Sequence, residues 1–182
     1  TPLYSSAASD VYKRQIHPRS TRRPILAVSI ANHSAHQQVR MEMYLLDTDH
    51  LSVLERGGEE AARLRRRLHA VSPDAVAATV ISYEEQTRGW LSFVAKARSL
   101  EEQVTAYGYL QRHLQVFCAV PLIAFDPAAV AIVQQLQKQR VRIGTMDLKI
   151  ASVALAEGAT LLSRNLLDFQ KVPGLRVEDW TM

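Results

Sequence analysis

Short, uninterrupted apolar runs constrain this chain more than any other feature of it. "MYLL" at residues 43–46, "AVAATVIS" at 75–82 and "ATLL" at 159–162 carry no polar alternation and are too short for a typical helix. A strand with one wet face alternates apolar and polar residues, so a strand apolar at every position is buried on both faces. "PLIAF" at 121–125 and "GLRVEDW" at 174–180 read as two further strands. Between them lie helical patterns. "GEEAARLRRRLHAV" places Ala61, Leu64, Leu68 and Val71 on one stripe and its arginines mostly off it, as expected of a solvated face. Segments 84–99 and 100–120 read as helices, "PAAVAIVQQLQKQ" opens with Pro127 at a first-turn position, and "GTMDLKIASVALAEG" runs from a Thr145 cap to a Gly158 stop. Strands alternating with helices predict an α/β fold whose parallel sheet is covered on both faces.

In such sheets ligands bind at the carboxyl ends of the strands. Acids recur at those ends here. Asp47 closes the first strand, Glu84 and Glu85 follow the second, Asp126 follows "PLIAF", Asp147 sits in the first turn after "IGT", and Asn165 and Asp168 follow "ATLLS". Carboxylates gathered in one crevice repel one another unless a cation lies among them. Oxygen donors without His or Cys favour Mg²⁺ or Mn²⁺. A divalent ion with open coordination positions polarises a phosphodiester and activates water, so the pattern points to phosphoryl hydrolysis without a covalent nucleophile.

Taken singly, each acid has a plainer explanation. Asp47 can simply end a strand, and Asp49 or Ser52 can cap the following helix. Glu85 can be helix surface, Asp147 suits the positive end of a helix, and Asp126 and Asp168 suit turns. The ordered set outweighs these readings for Asp47, Glu85 and Asp147, and less so for Asp168. Glu84 and Glu85 lie about 100° apart on a helix, so one of them faces away from any shared ion.

Four segments, "YLLDTDHLS", "VISYEEQTRGWL", "IGTMDLKIASVAL" and "LLSRNLLDFQKVPGLRVEDW", occur in order. Together they resemble the PIN-domain endoribonucleases of the VapC type, the toxins of type II toxin-antitoxin pairs, over residues 43–180. The resemblance implies a three-layer α/β/α fold with a central parallel sheet, Mg²⁺-dependent (or Mn²⁺-dependent) RNA hydrolysis, a homodimer and a cognate antitoxin partner. It implies tRNA or ribosomal RNA as substrate. By position it places the family's acids on Asp47, on Glu85 (four residues before Gly89) and on Asp147. The fourth falls on Asp168, with Asn165 standing where many relatives have aspartate. Ser163 stands where threonine is usual. Asp49, Ser163 and Asn165 are candidates for a supporting shell.

Two other functions bear on the same residues. "LLDTDHLS" also resembles the D-x-D strand end of haloacid dehalogenase-like phosphatases, but Leu51 stands where that family has Thr or Val, and no paired aspartates occur near Asp147. A PIN-like scaffold that binds RNA or a partner without cutting is the non-enzymatic alternative, against which the full acid set argues.

Charge adds less than it first promises. The net charge is +4, yet six of the 22 basic residues and one of the 18 acids precede residue 41, and from Met43 onward the two signs balance. Residues 1–42 mix Ser, Pro, Arg and Gln without period and read as a disordered or non-native leader, leaving 43–182 as the domain. Their one apolar core, Ile25 to Ala31, is short for a signal peptide. No window of 18 apolar residues suggests a membrane span, and a single cysteine, Cys118, excludes an internal disulfide framework. The expected location is the cytoplasm, with Cys118 as a small buried residue. Trp90, Phe93, Tyr107, Tyr109 and Phe117 are expected in the core or a dimer interface, and His50 and His113 without a chemical role.

Overall fold

The computed structural model describes residues 42–182. The predicted leader lies, apart from Glu42, outside them. Glu42 itself accepts hydrogen bonds from the Tyr44 hydroxyl (3.0 Å) and the Thr160 hydroxyl (3.4 Å).

Five strands, β1 (Tyr44–Leu46), β2 (Val76–Thr79), β3 (Leu122–Ile123), β4 (Thr160–Leu162) and β5 (Arg176–Glu178), form one parallel sheet in the order β3-β2-β1-β4-β5. Seven helices surround it: α1 (Thr48–Arg56), α2 (Gly58–His69), α3 (Val80–Lys96), α4 (Leu100–Ala119), α5 (Pro127–Lys138), α6 (Thr145–Glu157) and α7 (Leu166–Phe169). The expected three-layer α/β/α arrangement is therefore present. Its cause is visible strand by strand. Leu45, Ala77 and Leu161 point into a core shared with Ala129 and Leu136 of α5 and with Ile150, Ala151 and Val153 of α6. Their neighbours Leu46, Ala78 and Leu162 point to the opposite core, with Leu51 and Val53 of α1, Ala61 and Leu64 of α2, and Phe117 of α4. Successive side chains of a strand face opposite ways, so a sheet with two covered faces requires apolar residues at every position.

The register places the ends of the central strands level, with Leu46 beside both Ala78 and Leu162. The chain steps outward from β1 to β2 to β3 and then returns to the other side of β1 as β4. The reversal opens a crevice at the carboxyl ends of β1 and β4. Asp47 and Ser163 are the first residues past those ends.

Several boundaries differ from the sequence reading. β2 stops at Thr79, because the Thr79 hydroxyl accepts the Ser82 N–H at 3.0 Å and caps α3, turning Val80–Ser82 from strand into helix. The third strand keeps only Leu122–Ile123 of "PLIAF". Gly144 rather than Thr145 precedes the first turn of α6, without a side-chain cap, whereas Gly158 ends that helix in the left-handed conformation (φ 64°) as expected. Asp126 caps α5 through the Ala129 N–H (2.9 Å), which settles it as a structural acid. Cys118 is exposed, not buried.

The arginine-rich face of α2 is exposed at Arg65, Arg66 and Arg67, as expected, yet several of its arginines also bond to backbone. Arg63 donates to the Thr181 carbonyl (2.6 Å), Arg67 donates to the Asp179 carbonyl (3.4 Å) and lies over the Trp180 ring, and Arg65 donates to the Leu54 carbonyl. α2 thereby fastens the C-terminal segment. Of the aromatics assigned to helical stripes, Phe117 is buried, while Phe93, Tyr107 and Tyr109 are exposed.

Candidate metal centre

Asp47 is only 6% exposed. It is the N-cap of α1, a place the sequence reading gave to Asp49 or Ser52; one carboxylate oxygen accepts the Thr48 N–H at 2.7 Å. The other accepts the Ser163 hydroxyl at 2.7 Å, across from the end of β4. Burial pushes its pKa up to about 7, and the nearby Asp49 charge adds to this, against the lowering effect of the Ser163 and Thr48 hydrogen bonds.

Asp49 is a fixed member of the site rather than a helix cap. Its Oδ2 accepts the Arg164 N–H (2.7 Å) and lies 3.1 Å from the Ser163 hydroxyl, while its Oδ1 pairs with His50 Nδ1 at 2.7 Å. The Trp180 N–H points at His50 Nε2 (3.2 Å). Nε2 must then accept, which leaves Nδ1 as the protonated nitrogen donating to Asp49. His50, fully buried, thus ties the C-terminal segment to the acidic crevice. Burial raises the Asp49 pKa, but the His50 and Arg164 hydrogen bonds outweigh it and the net shift is downward. With both oxygens engaged, Asp49 is poorly placed as the mobile acid/base of the D-x-D phosphatase alternative.

Glu85 points toward the crevice from the second turn of α3, its Oε2 accepting the Thr48 hydroxyl at 2.7 Å. Gln86 beside it donates to the Thr48 carbonyl (3.2 Å) and to the Ser52 hydroxyl (3.1 Å), locking α3 to α1. Glu84 turns away and pairs with Arg88 at 2.6 Å, the separation expected of adjacent helical residues. One turn beyond Glu85, a side chain at Gly89 would meet open space.

Asp147, in the first turn of α6, is joined to Asp168 through one amide: Asn165 Nδ2 donates at 3.4 Å to Asp147 and at 3.2 Å to Asp168. Asn165 is itself held by Ser163, whose hydroxyl accepts its N–H at 3.1 Å. The Asp147 pKa is raised, first by burial and then by the charges of Glu85, Asp168 and Asp49. Asp168 is more open, and hydrogen bonds from Lys171 (2.5 Å) and Asn165 lower its pKa.

The crevice therefore gathers the four expected acids with Asp49, Ser163 and Asn165 as their supports. Among the described residues no group of three or more Asp, Glu, His or Cys side chains is drawn close enough to hold a metal ion as it stands; the carboxylates are linked instead through Thr48, Ser163 and Asn165. After burial, neighbouring carboxylates also raise the pKa of Asp47 (Asp49 and Asp147) and of Asp147 (Glu85, Asp168 and Asp49). An all-oxygen set of this kind, in an excess of negative charge, fits a hard divalent cation. What sequence reasoning missed was the use of His50, whose partner Trp180 lies more than a hundred residues away and leaves no local trace.

Comparison with known proteins places this geometry. The profile of the PIN domain matches residues 44–175. Ribonuclease VapC1 of Haemophilus influenzae (strain R2866) is 27% identical over 140 residues, 76% of this chain and 98% of that protein. Ribonuclease VapC1 of Rickettsia felis is 46% identical over 46 residues, 25% of this chain, so the match spans only 34% of that relative's length. Among solved structures, VapBC2 of Rickettsia felis bound to a DNA fragment from its promoter is 25% identical with a TM-score of 0.56, covering 76% of this chain and 98% of that one. DNA-bound VapBC of Salmonella typhimurium, at 21% identity and a TM-score of 0.60 over 77% of this chain and 99% of its own, shares the fold.

Proposed function

The chain belongs to the PIN domain family, and from that premise we propose that it is a metal-dependent endoribonuclease of the VapC type, the toxin of a toxin-antitoxin pair. The observation that carries the reading is the hydrogen-bonded network that gathers Asp47, Glu85, Asp147 and Asp168 about Thr48, Ser163 and Asn165 at the sheet's switch point. Similarity to VapC ribonucleases along nearly the whole of one relative supports it.

In this reading Asp47, Glu85, Asp147 and Asp168 hold Mg²⁺, or Mn²⁺ in its place, with Asp49, Ser163 and Asn165 supporting them. When bound, such an ion polarises the scissile phosphodiester and brings the pKa of a water toward neutrality. The chain's own groups prepare the rest. Ser163 orients Asp47 by donating to it, and Thr48 fixes the Glu85 rotamer. Asn165 bridges Asp147 and Asp168, donating to both and offsetting part of their repulsion. Asp168, kept ionised by the Lys171 and Asn165 hydrogen bonds, stays available as a negatively charged oxygen donor to the cation.

The substrate is structured RNA, by analogy with a relative known as a tRNA(fMet)-specific endonuclease. The regulatory partner is a cognate antitoxin, since the solved relatives are toxin-antitoxin complexes. A homodimer acting in the cytoplasm completes the proposal, with residues 43–182 as the catalytic domain and the preceding residues without a catalytic part. No described helix is long and apolar enough to cross a membrane.

The test is incubation of the purified protein with total tRNA and ribosomal RNA in Mg²⁺. Fragments that disappear in EDTA and with Asp47→Asn are expected. Cleavage that survives Asp47→Asn overturns the mechanism, and RNA binding without cleavage would favour the non-cutting scaffold.

A further inference from the structure

A cavity lies along the helices that lead away from the acidic crevice. Its volume is about 390 Å³, and Glu55, Arg56, Trp90, Tyr109, Arg112 and His113 line it. Two buried polar atoms have no hydrogen-bond partner there, Glu55 Oε1 and His113 Nδ1. They face each other at 3.6 Å, within ion-pair range but longer than a hydrogen bond. His113 is 2% exposed and cannot turn away: Tyr83 stacks on its ring (5.6 Å, 4°), Phe117 meets it edge-on (4.8 Å), and Nε2 is bonded to the Thr87 hydroxyl at 3.0 Å. Unpaired buried polar groups are costly and rare. Their persistence at the wall of a cavity marks a place for a ligand that bonds to both.

The lining narrows what that ligand is. Trp90 and Tyr109 stack on one another at 5.2 Å and 15° and offer a flat aromatic wall. Arg56 and Arg112 pair with no acid among the described residues, which disfavours a cationic guest and favours one with a phosphate. Glu55 asks for N–H donors. An aromatic ring with N–H donors and an attached phosphate is a nucleotide. A carboxylate bonds to two adjacent donors best, and among the four RNA bases only guanine presents two adjacent donors, N1–H and the N2 amino group, on its pairing edge; its neighbouring O6 then falls to His113 Nδ1–H. Uracil and adenine would set acceptors against the carboxylate.

We propose that this cavity binds a guanine base of the RNA substrate and so sets where the strand is cut. The inference rests on the nuclease reading for the nature of the polymer. The two sites share their supports: α1 carries Thr48 at the acidic crevice and Glu55 at the cavity, and α3 carries Glu85 and Trp90 likewise. At 1.5 Å of rise per residue the sites are separated by about 10 Å along these helices, so a nearby nucleotide of the same strand reaches the cavity while its neighbour occupies the crevice.

The experiment is a fluorescence titration of the full-length protein in EDTA, where nothing is cleaved, using Trp90 as the reporter. The probes are a uridine pentanucleotide and versions of it with one guanosine, adenosine or cytidine at each position in turn. At one position guanosine binds at least tenfold tighter than the other bases. Glu55→Gln removes that preference, and Arg112→Ala weakens all the probes alike. A flat series, or a guanosine preference untouched by Glu55→Gln, overturns the proposal; the first result leaves the cavity to a side chain of a partner protein. Should Glu55→Gln fail to fold, loss of binding by the exposed Arg112→Ala variant reads the same site. Failure of the nuclease reading shows separately, as absence of RNA cleavage in Mg²⁺ with guanosine binding retained.

Discussion

Replacing Asp47 by Asn separates a metal ligand from an ordinary helix cap. Asn caps as well as Asp does, its carbonyl oxygen accepts the Thr48 N–H, and its amide donates to the Ser163 oxygen, so the local geometry survives. What changes is the charge. The folded protein raises the Asp47 pKa from 3.8 to about 7, and at 1.36 kcal/mol for each tenfold change in proton affinity this is about 4 kcal/mol of native-state strain above neutral pH. The direction follows from proton linkage: the folded chain holds this proton more tightly than the unfolded one, so its contribution to stability is lost as pH rises from about 4 to about 7. In EDTA at pH 8, Asp47→Asn is therefore expected to melt above the wild type by about 8 °C or more, given roughly 2–4 °C per kcal/mol for a chain of this size. At pH 4 the gain nearly vanishes. Nuclease activity is lost throughout. Thermal melts followed by circular dichroism across that pH range, in parallel with RNA cleavage, decide the matter. A variant less stable than wild type at pH 8 refutes the reasoning, because it would mean that the Asp47 charge is stabilised by its surroundings without any cation.

Other outcomes follow from the same geometry. Mg²⁺ is expected to raise the wild-type melting temperature at pH 8 but not that of Asp147→Asn, measured by differential scanning fluorimetry. Asp168→Asn should reduce cleavage by about a hundredfold or more, whereas Asn165→Ala, which only removes the bridge between two acids, should act mainly by weakening Mg²⁺ activation, as read from the metal dependence of the rate. His50→Ala empties a fully buried position and unties Asp49 from Trp180; a loss of about 2–4 kcal/mol in denaturant unfolding is expected. Leu45→Ala, with its side chain in the α5–α6 core, should cost about 2–5 kcal/mol by the same measurement.

Much of this architecture was legible in the sequence because two-sided burial leaves a local mark. Tyr44–Leu46 and Thr160–Leu162 are short runs without polar alternation, as a strand covered on both faces requires; once they are strands of a parallel sheet, Asp47 at the end of one of them stands in the crevice. Asp147 and Glu85 followed from their places in helices that begin beside strand ends. The rest depended on partners distant in the chain. Asp49 has the composition of a cap, and the approach of Arg164 and His50 fixes it in the site instead. That arginines of α2 also bond the C-terminal segment shows only when that segment returns across the sheet to meet them. Val80 and Ile81 favour a strand by propensity, yet the Thr79 cap made them helical, since a hydrogen bond that starts a helix outweighs a preference of a few tenths of a kcal/mol. The Glu55–His113 cavity joins α1 to α4 and has no signature in either segment alone.

The central claim is that the acids at the ends of β1 and β4 hold a divalent cation. Anomalous diffraction from crystals soaked in Mn²⁺ tests it directly. A Mn²⁺ peak bonded to oxygens of Asp47 and Asp147, and absent from Asp47→Asn crystals, is the predicted result. A crevice that stays empty at millimolar Mn²⁺ while the protein cleaves RNA, or a peak held by other residues, would contradict it.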